Sequence, residues 1–158
     1  MSTVYPKFLI KKMSSPLFHL ARKDDRVVIT MLREAVSVDD MQPFFVAFDE
    51  LFADVVDDPI QNFCVYVDTT AISISPMSVR LGVMKSIYDF LVARTHVLAE
   101  RVSVCAVLIA SRTLSTAVSA MLNSMNFGAV SLDLFHDRDN CVAFLKRERR
   151  ARRDALHK

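Results

Sequence analysis

Glycine occurs only twice in the 158 residues, as Gly82 and Gly128. That scarcity removes whole classes of chemistry, because a phosphate cradle needs glycines wherever backbone N–H groups must close on the ligand. Neither the dinucleotide fingerprint nor the P-loop is present. No serine stands in a GxSxG elbow, and no cysteine or serine has a histidine that spacing would pair with it. Cysteine is also sparse. Cys64, Cys105 and Cys141 lie far apart, are odd in number and form no CxxC, so they read as buried thiols in a reducing compartment. His19, His96, His136 and His157 are scattered, and none makes an i, i+4 pair with another ligand type. The expectation is therefore no metal and no cofactor. Long apolar runs are missing too, since the longest helix candidate carries Arg80, Lys85, Asp89 and Arg94. At the start of the chain, Lys7, Lys11 and Lys12 break up the apolar residues that a secretory signal would need. A soluble, cytoplasmic protein is the expectation.

What the chain does have is the balance of one ordinary globular domain, with 52% hydrophobic and 24% charged residues. The formal charge of +2 is unevenly placed. Residues 146–158 carry a net +5, which leaves −3 on the remainder. Three segments are expected: an aperiodic arm over 1–15, partly disordered or packed along one edge, an α/β domain over 16–146 and a basic helical tail over 147–158.

The organising stretch runs from Phe63 to Leu98. Phe63-Cys64-Val65-Tyr66-Val67 is an unbroken apolar run ending in Asp68, the pattern of a central parallel strand with a polar residue at its C-terminal edge. The loop Thr69-Thr70-Ala71-Ile72-Ser73-Ile74-Ser75 then meets Pro76. Ser75 can cap a helix, and Pro76 suits its first position. The spacing predicts one helix from Pro76 to about Ala99, with Leu81, Met84, Tyr88 and Leu91 on one stripe and Val83, Ile87, Phe90 and Leu98 widening it. A stripe that broad predicts burial on more than one side.

The flanking segments fit the same design. Leu17–Ala21 and Val27–Leu32, separated by Lys23-Asp24-Asp25, predict a hairpin. Ser37, Asp39 and Asp40 predict the start of a helix whose apolar positions run from Met41 to Val55, with Pro43 in its first turn. Val102–Ala110 reads as the centre of the sheet. Thr113 or Ser115 is placed to cap the helix that follows, and Gly128 to end it. Ala129–Phe135 reads as an edge strand, and a last helix starts near Asp137 or Asp139. The sum is an α/β domain with a mixed sheet of about five strands, an N-terminal hairpin plus parallel β-α-β crossovers, packed with about four helices.

Three aspartate pairs, Asp24/Asp25, Asp39/Asp40 and Asp57/Asp58, fall at a turn, a helix start and a helix end. Solvated carboxylates are ordinary there. The basic tail, with Arg147, Arg149, Arg150, Arg152 and Arg153, would suit nucleic acid, but no aromatic residue interleaves it to stack on bases. A solvated helix end whose charge suits its own dipole accounts for it more simply.

Val65-Tyr66-Val67-Asp68, a short loop, and a serine at a helix start resemble the STAS domain, the fold of bacterial anti-sigma factor antagonists similar to SpoIIAA. The resemblance covers roughly residues 16–146. In that family an Asp-Ser-Ser-Gly motif opens the helix, and its second serine is phosphorylated by a partner kinase that is also the anti-sigma factor. Counting from Asp68 puts the motif on Pro76-Met77-Ser78-Val79, which keeps the serine as Ser78 and loses the flanking Asp and Gly. Ser75 is the alternative if the loop differs by a turn. The resemblance implies a non-enzymatic, regulatory protein-protein interaction module, anti-sigma factor antagonist-like, using Asp68, Thr69, Thr70, Ser73, Ser75 and Ser78. Its partner would be a regulatory kinase or a second copy of the chain. Plain helix capping by Ser75 and Ser78 is the competing account. A carrier of a small ligand or lipid, held in an apolar cavity under the long helix, is the alternative from another class, and a hydrolase or phosphoryl-transfer enzyme is a third.

Overall fold

The computed structural model describes residues 10–23, 26–35, 37–53, 63–72, 81–125, 127 and 130–156. Its sheet has six strands in the order of the chain: β1 (Ile10–Ser14), β2 (Phe18–Lys23), β3 (Arg26–Met31), β4 (Phe63–Asp68), β5 (Val102–Leu108) and β6 (Ser131–Phe135). The first three are antiparallel, and β3 to β6 are parallel neighbours. Each parallel step needs a helical crossover. These are α1 (Val38–Ala53), then α2 (Leu81–Ala93) with α3 (Thr95–Arg101), then α4 (Arg112–Asn123). The final helix, α5 (Arg138–Leu156), follows β6. The architecture is mixed α/β as expected, with one strand and one helix more.

The extra strand comes from the arm. Ile10–Ser14 pairs with His19–Lys23 and forms one edge of the sheet. Its sequence IKKMS places two lysines on the edge strand of the described sheet, which discourages pairing with another chain. The extra helix comes from a break. The apolar period runs straight through residue 94, yet the helix stops at Ala93 and restarts at Thr95. The Thr95 hydroxyl donates to the carbonyls of Leu91 and Val92, competing with the helical ladder. Arg94 turns outward to grip Asp49 of α1 through Nε and Nη2, at 2.5 and 2.6 Å.

Capping fixes where two other helices begin. Ser37 Oγ accepts from the Asp40 N–H while Asp40 Oδ2 accepts from the Ser37 N–H, a reciprocal box at the start of α1. Pro43 lies beyond the first turn, inside the helix, where its missing N–H does interrupt the ladder. The cap of α4 is Ser111, whose Oγ accepts from the Leu114 N–H at 3.2 Å, and not Thr113 or Ser115. Gly128 lies outside the described residues.

Because strands follow one another in order, right-handed crossovers put α1, α2 and α4 on one face of the sheet. Phe18, Leu20, Val27, Ile29 and Val65 meet α1 and α2 there, around Leu51, Phe48 and Phe90. Val67, Cys105, Val107 and Leu132 meet Leu114 and Val118 of α4. On the opposite face α5 brings Cys141 and Phe144 onto Cys64, Val104, Ala106 and Leu108. Covered on both sides, β4 and β5 are apolar without alternation. A bulge adjusts their pairing: Phe63 faces Val102 but Cys64 faces Val104, so Ser103 is the additional residue. Its hydroxyl donates to the Phe63 carbonyl, which satisfies it in the core.

One buried charge went unnoticed in the sequence. Arg22 is only 3% exposed, donates from Nη1 to the Leu51 carbonyl near the end of α1, and lies 4.6 Å over the Phe63 ring. A cation there suits the negative end of the helix.

Candidate functional site

The parallel strands end together, and the polar groups of the expected site lie along that edge. Asp68, the last residue of β4, is buried. Its Oδ1 accepts from the Thr70 N–H at 2.9 Å and from the Thr70 hydroxyl at 2.6 Å, folding the chain into an Asx turn. Its Oδ2 accepts from Arg138 Nη2 at 3.2 Å. Thr69 binds the adjacent strand twice, donating its N–H and its hydroxyl to the Leu108 carbonyl at 2.9 and 2.8 Å. The Ile72 N–H then closes a turn on the Thr69 carbonyl at 3.0 Å. Next along the edge, His136 Nδ1 sits 2.8 Å from the Ile109 carbonyl. The side chains that looked reactive in the sequence hold backbone in place, and the crest of the turn exposes Thr70 and Ala71.

Asp68, Thr69 and Thr70 are thus brought together, whereas Ser73, Ser75 and Ser78 lie outside the described residues. Arg138 was missed, and no spacing could have found it, since it reaches Asp68 across 70 positions and only the crossover β5-α4-β6 brings it there. Tyr66 and Cys141 flank the same aspartate on the α5 side. Burial raises the Tyr66 phenol above its ordinary value, the Asp68 carboxylate adds to the effect, and Arg138 opposes it. Burial likewise pushes the Cys141 thiol up to about 11, with Asp68 contributing, and the Cys105 thiol up to about 12. Thiols held protonated are poor nucleophiles.

The basic tail is helical to Leu156 and continuous with α5. Arg147 lies 5.8 Å from the centre of the Phe144 ring, and Arg149, Arg150, Arg152 and Arg153 follow on the same helix. Among the described residues no group of three His, Cys, Asp or Glu side chains is arranged to hold a metal ion, and no helix is long and apolar enough to cross a membrane.

A second feature lies between the sheet and the crossover helices. A cavity of about 280 Å³ is walled by Val65, Val67 and Val107 from the strands, Phe45 from α1, Ile87 from α2 and Val118 from α4, among others. Of its described lining residues only Glu34 and Thr69 carry polar oxygen-bearing side chains. So apolar a wall does not hold water well.

No protein-family model and no curated protein matches this chain. The chain is similar to a solved structure from Shewanella loihica PV-4, an uncharacterized protein of the DUF3478 family described as having a SpoIIAA-like fold. The two share 10% identity over 92% of this chain and 98% of that one, with a TM-score of 0.49.

Proposed function

We propose that the chain is a non-enzymatic, regulatory binding domain that docks another protein at the junction of β4 with the segment leading into α2. The observation that carries this reading is the use made of Asp68. Its carboxylate is bound by Thr70 and Arg138, so it stiffens the turn and is not presented to a substrate. Thr69, tied to Leu108, and His136, beside the Ile109 carbonyl, are used the same way. A stiff turn with exposed Thr70 and Ala71 at its crest suits recognition, because little ordering entropy is lost when a partner binds.

Phosphorylation of Ser78, or of Ser75, would act as the switch. A phosphate adds nearly two negative charges a few residues ahead of α2 in the chain, which an acidic or apolar partner surface does not accept. The partner would be a regulatory kinase or a second copy of the chain, as in the anti-sigma factor antagonists that the sequence resembles. The test is affinity capture with wild type, Ser78→Asp and Ser75→Asp, each quantified against the others. A partner retained by wild type and lost by one aspartate variant is the expected result. Equal recovery of every partner by all three contradicts the switch.

A further inference from the structure

We infer that the cavity between the sheet and α1, α2 and α4 is a binding site for a neutral, medium-chain apolar molecule, a hydrocarbon tail bearing at most a hydroxyl. The inference does not rest on the docking reading, although Thr69 belongs both to the turn and to the cavity wall.

Size limits the occupant first. A volume of about 280 Å³ holds about nine groups of ~30 Å³, the share of one water in the liquid and close to that of a methylene. A chain of about ten carbons fills this volume. The wall then limits its chemistry. Phe45, Phe48, Phe90 and Ile87 offer dispersion contacts, and Met41 and Met84 offer unbranched side chains that adapt to differing outlines. A charged headgroup would meet no cation, since none of the described lining residues is Lys, Arg or His. An anion would also lie in the same cavity as the Glu34 carboxylate. The Thr69 hydroxyl already gives its hydrogen to the Leu108 carbonyl, which leaves it able to accept from an alcohol but not to donate to a carboxylate. Burying an unpaired charge in such a place is prohibitive, and burying a methylene chain is not.

The test uses the full chain, the neutral fluorescent dye 1-aminonaphthalene, and competition by decanol and decanoate. The expected result is saturable dye binding and displacement by decanol at a concentration about tenfold lower than by decanoate. Val118→Phe puts a ring into the space from the α4 side. It should weaken dye binding by about tenfold or more while melting at or above the wild-type temperature. Val107→Phe, from β5, provides an independent second reading of the same loss. Absence of saturable binding, equal displacement by decanoate, or wild-type dye affinity in both phenylalanine variants overturns the inference. So does a fall in melting temperature in both, since a filled core rejects the ring and a hollow one accepts it.

Discussion

The two faces of this sheet solve the same packing problem with opposite materials. Under α5 the strands present Cys64, Val104, Ala106 and Leu108, small or medium side chains that let the helix approach and leave Cys141 without exposure. Under α1, α2 and α4 the same strands meet a large aromatic set, with Phe45 stacked on Phe90 at 4.2 Å and Phe48 set edge-on to Phe90 at 5.3 Å. Mostly small strand residues, closed over by Phe144 of α5, fill one side. On the other, bulky residues of α1 and α2 border a space they do not close. The comparison teaches that apolar content alone does not tell a packed core from a hollow one, because shape complementarity decides the matter.

Adding volume to each face should separate them most strongly. Ala106→Leu, which adds three carbons beneath α5, should lose about 1–3 kcal/mol, whereas Val67→Leu on the cavity side should change stability by less than about 0.5 kcal/mol. Urea denaturation of the two variants measures both, and equal losses would erase the distinction. A smaller effect is expected where the faces meet. Asp68→Ala frees the Thr70 N–H and hydroxyl and should cost about 1–2 kcal/mol. Arg138→Ala should cost no more than about 1 kcal/mol, because its side chain is 68% exposed and water screens its pair with Asp68.

A further effect is in the alkaline range. Cys105 faces the cavity and Cys141 faces the strands from α5, and both thiols titrate above their ordinary value of 9.0, near 12 and 11. The folded chain therefore holds these protons after the unfolded chain has released them. The resulting stabilisation is complete below pH 9 and is lost as pH rises through about 11 and then about 12. Replacing both cysteines with valine should flatten the decline in melting temperature above pH 9. An unchanged slope would show that other groups govern it.

Much of this layout was legible in the residues because local and tertiary preferences agree. The apolar runs of β4 and β5, the Ser37 and Asp40 box of α1, and the order of strands and helices follow from pattern alone. Asp68 was rightly placed at the end of a buried strand. Its role depended on Arg138, which folding supplies from the far end of the chain. The continuous stripe through residues 81–98 concealed the break at Arg94, because the cause is a threonine hydroxyl and a distant aspartate and not any lapse in period. Ile10–Ser14 was hidden because an edge strand rich in lysine has no inward alternation to display. The breadth of the apolar stripe suggested burial on several sides, but whether that burial was complete depended on how three helices meet.

Xenon under pressure tests the hollow face most directly, since an apolar cavity of this volume admits the gas and a packed core does not. A saturable shift of the xenon-129 resonance on adding the protein, lost in Val118→Phe and kept in Ala106→Leu, is the result predicted. A resonance that responds no more to this chain than to a cavity-free protein of equal size would contradict it.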